Sequence, residues 1–132
     1  MDLGEVVSGR LAIGVGCRKG TSAESIVRQV EAATVGLAPA VGLFTIEDKR
    51  GEAGLCKAAE SLALPLVFLS RDALSAMADR IATPSSAAFA RFGIPSVAEA
   101  AALAAFAGRA RLIVPRRAEG GVTVAVAEEI LP

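Results

Sequence analysis

Short apolar runs alternate with amphipathic stretches along the first half of the chain. The runs at 11–15, 41–45 and 66–69 have the length and composition of strands buried on both faces of a parallel sheet. Between them, two stretches place apolar residues at helical spacing: one from Thr21, a predicted cap with Glu24 at capping-box spacing, to a stop at Gly36, and one at 52–62. Strand–helix alternation with short connections predicts an α/β domain built in layers.

The second half continues this alternation in shorter units. Ser70 is a predicted N-cap for one short helix, and residues 83–92 are predicted to form another. Ser96 and Glu99 have the spacing of a capping box. The alanine-rich helix that they begin, through Phe106, is apolar on every side and is expected to pack on both faces.

The chain ends in two predicted strands, 110–114 and 122–126, joined by a loop at 115–121. A connection this short predicts a hairpin, so the last strand is antiparallel. The prediction is therefore a single α/β domain over residues 1–132. It has three layers, α/β/α, around a mixed, mostly parallel sheet of about five strands, the last of them antiparallel.

Composition excludes several classes of function. The 132 residues are 53% hydrophobic, carry 14 basic against 14 acidic residues, and include no His, Trp or Tyr. The apolar content and zero net charge exclude disorder, and the lack of His excludes imidazole-based catalysis and His-ligated zinc. Zero net charge without Tyr or Trp argues against nucleic acid as a partner. We expect no metal and no cofactor.

Two cysteines, Cys17 and Cys56, are too few for a disulfide framework or a metal cluster, which favours a reducing compartment. Cys56 lies on the second predicted helix and is expected in the core. The acidic segment 1–5 does not resemble a signal peptide, and no apolar run has membrane-spanning length. We expect a cytoplasmic protein without a membrane partner.

Basic residues cluster in three loops that follow predicted strands. Loops 16–21, 46–51 and 115–121 contain six of the fourteen basic residues against three acidic ones. The carboxyl ends of parallel strands share one edge, where ligands bind. With the helix N-terminus after Thr21, this predicts an anion site for carboxylate or phosphate, and a solvated basic rim is the alternative. The six residues are Arg18, Lys19, Lys49, Arg50, Arg116 and Arg117.

The first loop also suggests two kinds of chemistry. The spacing of Gly14, Gly16 and Gly20 is one residue longer than that of the dinucleotide-binding fingerprint G-x-G-x-x-G. A nucleotide site is therefore a weaker alternative. Cys17 precedes a helix beside two cations, surroundings that lower a thiol pKa, and is a candidate nucleophile or simply a small turn residue. Asp48 and Lys49 are catalytic candidates if they are buried, and a polar loop otherwise. No catalytic assignment is firm.

Four blocks of sequence occur in order across nearly the whole chain. They are GVGCRKGT at 14–21, TIEDK at 45–49, GIPSVAEAAAL at 93–103, and VPR at 114–116 with VTVAVA at 122–127. Together they resemble the CobE/CbiG C-terminal domain family of cobalamin (vitamin B12) biosynthesis, and its stand-alone members above all. The family often has Lys at the last position of the VPR block.

The resemblance implies a three-layer α/β/α fold with a mixed sheet and a place in the corrin pathway, whose tetrapyrrole intermediates carry many acetate and propionate groups. In larger relatives this domain is the C-terminal half of a cobalt-precorrin-5A hydrolase, which opens a lactone. The present chain is too short to include the other half, so that activity is not carried over.

We therefore expect a protein that binds or carries a precorrin or a hydrogenobyrinic-acid-like tetrapyrrole without turnover. Other corrin-pathway enzymes are candidate partners, and an enzyme acting on a precorrin is the alternative. Of the expected ligand-binding residues, the cations would bind carboxylates, Thr21 would assist, and Cys17 and Thr45 would form the floor. The expected set is Gly16, Cys17, Arg18, Lys19, Gly20, Thr21, Thr45, Lys49 and Arg116.

Overall fold

One mixed sheet of five strands forms the centre of the structure. In chain order the strands are β1 (Val6–Cys17), β2 (Ala40–Ile46), β3 (Leu66–Leu69), β4 (Ala110–Glu119) and β5 (Val122–Leu131). Across the sheet their order is β3-β2-β1-β5-β4. β1, β2 and β3 are parallel, and β5 is antiparallel to both of its neighbours. The predicted mixed sheet and its antiparallel last strand are confirmed.

Helices cover both faces of this sheet. They are α1 (Ala23–Thr34), α2 (Ala53–Leu62), α3 (Arg71–Ser75), α4 (Ser86–Phe92) and α5 (Val97–Ala104). α1 and α2 pack on one face and α3 and α5 on the other, each pair with its own apolar core. The three-layer α/β/α architecture is therefore confirmed.

The computed structural model describes residues 6–131. The acidic segment 1–5, on which the prediction about a signal peptide depends, lies outside the described residues. Within them, no single helix is long and apolar enough to cross a membrane. Only α4 and α5 taken together, bent by 70° at their junction, reach that length and composition.

α5 packs against β1 more closely than side chains would allow. A Cβ atom at Gly14 would overlap the carbonyl oxygen of Ala98, and one at Gly16 would crowd the hydroxyl of Thr123 and contact Val97. Both glycines therefore serve the close approach of α5 and β5 to β1. This requirement accounts for a glycine pattern that only partly matches a nucleotide-binding fingerprint.

The helix starts at Ser70 and Ser96 agree with the sequence, but α1 and α4 begin later than predicted: α4 begins at Ser86 with Ser85 as its N-cap, not at 83–84. Ser22, not Thr21, is the N-cap of α1, because its side-chain oxygen accepts the N–H of Ser25. The Thr21 hydroxyl and N–H both donate to the Arg18 carbonyl, at 2.6 and 3.2 Å, and close the preceding turn. Cys56, expected in the core, is exposed on α2.

The predicted loop at 115–121 is wrong. β4 continues to Glu119 and pairs with β5 up to the Gly120–Gly121 turn, with register shifts on both sides of Val114. Pro115 cannot donate to a ladder, and an edge strand accommodates it through such irregularities. Arg116 consequently lies on a strand rather than on a loop.

Candidate functional site

A cavity of about 450 Å³ opens where the carboxyl ends of β1, β2 and β4 meet the start of β5. α4 and the first residues of α5 complete its walls. The cavity therefore lies at the edge of the sheet where the loop charges predict a site. Its lining includes Gly16, Cys17, Arg18, Ile46, Lys49, Ser85, Ala88, Arg91, Phe92, Ser96, Val97, Arg116, Glu119, Gly121 and Val122.

The lining combines positive charge with apolar surface. Four cationic side chains and one carboxylate, that of Glu119, lie along it. Apolar surface comes from Ile46, Phe92, Val97 and Val122, among others. Such a surface suits a ligand that carries acidic groups on an apolar body. The four cations are Arg18, Lys49, Arg91 and Arg116.

Lys49 is the most deeply buried of these cations. It ends a single 3₁₀ turn, Glu47–Lys49, that follows β2 directly, and only 6% of the residue is exposed. Within the described residues, no ion pair or hydrogen bond is made by its ammonium group. The side chain is therefore packed into the cavity wall, and its ammonium, free of protein partners, is available to an anion bound in the cavity.

Arg116 is the second cation of the cavity whose side chain has an N–H group without an acceptor in the described part of the chain. Its Nε is buried and has no hydrogen-bond partner among the described residues. Its backbone N–H donates to Oε2 of Glu99 at 2.8 Å, which holds the irregular part of β4 against α5. A buried guanidinium nitrogen without an acceptor points to an acceptor supplied by a ligand.

Four predicted ligand-binding residues lie away from the cavity lining. Lys19 is exposed outside it, and Thr21 closes the turn described above. Gly20 donates its N–H to the Glu52 carboxylate at 3.1 Å. Thr45 is fully buried and donates its hydroxyl to a main-chain carbonyl of β1 at 2.7 Å, so it supports the sheet.

Two further cations of the predicted edge also lie outside the cavity, and one unpredicted cation replaces them. Arg50 stacks over Phe68, and Arg117 donates to the Ala32 carbonyl at the far side of β4. Arg91 is brought to the cavity by α4. The spacing of Arg91 from Ala88 marks one face of a short helix, but no local pattern shows where that helix packs.

Of the three catalytic candidates, Cys17 and Lys49 line the cavity and Asp48 lies outside it. Burial raises the pKa of the Cys17 thiol, and the charge of Lys49 lowers it by less, so the prediction of a lowered pKa is wrong. Asp48 is exposed and forms a two-pronged ion pair with Arg71, whose hydrogen bond lowers the pKa of that carboxyl. No three Cys, Asp or Glu side chains in the described part of the chain could hold a metal ion.

The environment of Cys17 leads to a prediction about its reactivity. In a Cys56→Ser background, we expect Cys17 to react with iodoacetamide more slowly than a free thiol at the same pH, because burial favours the neutral thiol. Lys49→Met should move the midpoint of the rate–pH profile further up. Mass spectrometry of the Cys17 peptide measures both, and a midpoint at or below the ordinary thiol value would contradict the burial argument.

Comparisons with known proteins agree on one family. The family described as "Cobalamin synthesis G C-terminus" matches residues 11–127. Protein CobE from Sinorhizobium sp is 33% identical over 121 residues, covering 89% of this chain and 79% of the relative. A cobalt-precorrin-5A hydrolase from Priestia megaterium is 34% identical over 121 residues, but the match spans only 32% of that longer protein.

Two solved structures show the same fold. The crystal structure of CobE, a protein from the cobalamin (vitamin B12) biosynthetic pathway, superposes with a TM-score of 0.85 at 34% identity, covering 92% of each chain. Cobalamin biosynthesis protein chiG from Agrobacterium tumefaciens gives a TM-score of 0.65 at 38% identity, covering 89% of this chain and 96% of that one. Sequence and structure together show that the chain belongs to the cobalamin synthesis G C-terminal family.

Proposed function

We propose that this cobalamin-biosynthesis protein binds a polycarboxylate tetrapyrrole of the corrin pathway at the cavity and carries it without turnover. One observation supports this most: Lys49 and Arg116 line the same cavity, and each has side-chain N–H groups without an acceptor among the described residues. Protein groups leave both without a close acceptor. A ligand with several carboxylates would supply acceptors to both at once.

The shape of the cavity suits one edge of a macrocycle. Its volume of about 450 Å³ is that of an ordinary small-molecule site. Acetate and propionate groups along one edge of the ring would meet the cations, while the ring face would lie against Phe92 and Val97. The rest of the ring would stay accessible, which suits transfer to another enzyme of the pathway.

The alternative, hydrolysis of a precorrin lactone, lacks a comparable arrangement in the described residues. Asp48 is engaged by Arg71 outside the cavity lining, and Cys17 has a raised pKa. Only Lys49 of the three candidates is a charged group that faces the cavity. A hydrolytic step would therefore need a base that these residues do not provide.

A titration distinguishes the two functions. Hydrogenobyrinic acid and a late precorrin are added to the purified protein while visible absorption is recorded, with NAD and ATP titrated in parallel. A saturating spectral shift that persists supports a carrier. Product formation that is lost in Asp48→Asn or Lys49→Ala supports an enzyme, and no binding at micromolar protein contradicts both.

Neighbouring arginines on β4 provide a matched pair for this titration. Arg116 lines the cavity, whereas the Arg117 guanidinium donates to Ala32 at 2.8 Å outside it. We expect Arg116→Gln to raise the dissociation constant about tenfold, since a charge-assisted hydrogen bond is lost. Arg117→Gln should leave it unchanged. Equal effects of the two substitutions would mean that the cavity is not where the ligand binds.

A further inference from the structure

Glu99 is a fully buried carboxylate whose hydrogen bonds join separate parts of the chain. It lies in the first turn of α5 and is 0% exposed. Ser96 caps its N–H as the capping-box spacing predicts, at 3.2 Å. The carboxylate, however, has other partners: Oε1 accepts the N–H groups of Ala82 and Thr83 at 2.8 and 3.0 Å, and Oε2 accepts that of Arg116 at 2.8 Å.

One of these donors lies in the cavity lining, and the other two lie in the segment that leads into a second wall. Ala82 and Thr83 precede α4, which contributes Arg91 and Phe92 to the lining, and Arg116 belongs to the β4 wall. One rigid carboxylate therefore lies between the two segments. Because both are bonded to the same side chain, the distance between the walls is set by the size and geometry of that group.

The α4 wall is held by hydrogen bonds before its start and by packing at its end, where Phe92 contacts the core and Ile94 is fully buried. None of the residues of α4 is buried, and Phe89 is 60% exposed. The ends of the segment are joined by a hydrogen bond from the Ser85 N–H to the Pro95 carbonyl at 2.7 Å. The Glu99 contacts therefore fix the start of the segment that carries Arg91, while Phe92 and Ile94 fix its end.

The β4 wall has a similar dependence. Arg116 lies in the register shift between Val114 and Arg117 and follows Pro115, which has no N–H to donate. Its N–H is bonded to Glu99 and not to a neighbouring strand. The same carboxylate therefore holds the backbone from which the unpartnered Arg116 side chain extends.

We infer that Glu99 is a positioning residue: it fixes the α4 and Arg116 walls relative to each other and so sets the affinity of the cavity for its polycarboxylate. The affinity part of this inference rests on the proposed function. The positioning part rests only on the hydrogen bonds of Glu99. Two measurements address the two parts separately.

Hydrogen exchange tests the positioning in the protein without ligand. The amides of residues 82, 83 and 116 should be protected in the wild type although they lie outside regular pairing. In Glu99→Gln, the single amide oxygen can accept hydrogen bonds either from residues 82 and 83 or from residue 116, but not from both groups. We expect it to keep the pair at 82 and 83, while the NH₂ group faces Arg116 and protection there falls.

Fast exchange of all three amides in the wild type, or unchanged protection in Glu99→Gln, would overturn the inference. If Glu99→Gln does not fold, Ala82→Pro removes one donor directly and leaves α5 intact. In that variant, exchange at residue 83 should accelerate. Unchanged protection at residue 83 would also contradict the inference that the Glu99 carboxylate holds this segment.

Ligand affinity tests the functional part, with Ile26→Val as control. Ile26 is buried in the core on the opposite face of the sheet, so this change lowers stability without touching the cavity. With both variants fully folded, Glu99→Gln should weaken binding of hydrogenobyrinic acid about tenfold, and Ile26→Val should not.

An unchanged affinity in Glu99→Gln, or an equal loss in Ile26→Val, would show that Glu99 is merely structural. No binding by the wild type would remove the proposed function and the affinity part with it. The exchange measurement would still decide whether Glu99 fixes the walls, so the two failures are distinguishable.

Discussion

Lys49→Met is expected to weaken binding of hydrogenobyrinic acid by roughly 10- to 100-fold while making the free protein more stable. The two effects have one cause. Lys49 is 6% exposed as a residue, and its ammonium makes no ion pair among the described residues. Methionine keeps the length and apolar stem of the side chain but removes a partly desolvated charge that a bound anion would compensate.

The gain in stability is expected to be at most about 1 kcal/mol, because a partly desolvated charge without a protein partner is replaced by an apolar group of similar volume. Urea denaturation measures the free energy of unfolding, and the absorption titration measures affinity. A higher free energy of unfolding together with a lower affinity indicates a residue that serves binding at a cost to stability. A simple packing defect would lower both.

Lys19→Met is the matched control. It is the same substitution, and Lys19 is another of the six basic residues in the three loops that the sequence places at this edge of the sheet. Lys19 is exposed and lies outside the cavity lining. We expect it to change neither the affinity nor the stability appreciably. If Lys19→Met weakens binding as much as Lys49→Met, the anion binds at the outer loop and the cavity assignment is wrong.

Gly14→Ala is expected to destabilise the fold by about 3 kcal/mol or more, at the upper end of what overpacking costs. The new Cβ would overlap the Ala98 carbonyl oxygen and lie close to the Ala102 amide, both in the backbone of α5. Backbone cannot rotate away as a side chain can. α5 must therefore shift from β1, and the cavity wall that begins at Ser96 would shift with it.

Gly36→Ala provides the comparison for Gly14→Ala. Gly36 has φ near +78° and no atom within 4 Å of an added Cβ, so only the left-handed backbone opposes alanine, at about 1 kcal/mol. Urea denaturation of both variants separates crowding from backbone strain. A loss in Gly14→Ala no larger than in Gly36→Ala would contradict the close packing of α5 on β1.

The secondary structure and layers were predictable because they depend on local patterns. Apolar runs of strand length, helical spacing and the caps Ser70 and Ser96 each act within a few residues. The errors occur where a longer-range contact prevails. Thr21 closes a turn instead of capping α1, and β4 continues past Pro115 because β5 is there to pair with it.

The candidate site was predictable only in part, for the same reason. Arg18, Lys49 and Arg116 follow strands whose carboxyl ends share an edge, and the structure brings all three to the cavity. Arg91 arrives on a helix whose start is held by Glu99 through Ala82 and Thr83, a contact that no local pattern predicts. The exposure of Lys19 depends on which way its loop turns, which no spacing reveals.

By itself, the sequence determined the α/β layering, the family and a basic edge hidden within zero net charge, because periodicity, motif order and loop charges are local properties. Tertiary structure alone decided which cations share a cavity and which lack a partner. It also turned Glu99 from half of a capping box into a link between two walls. Burial and pairing depend on what the rest of the chain brings alongside a residue, and that information is not local.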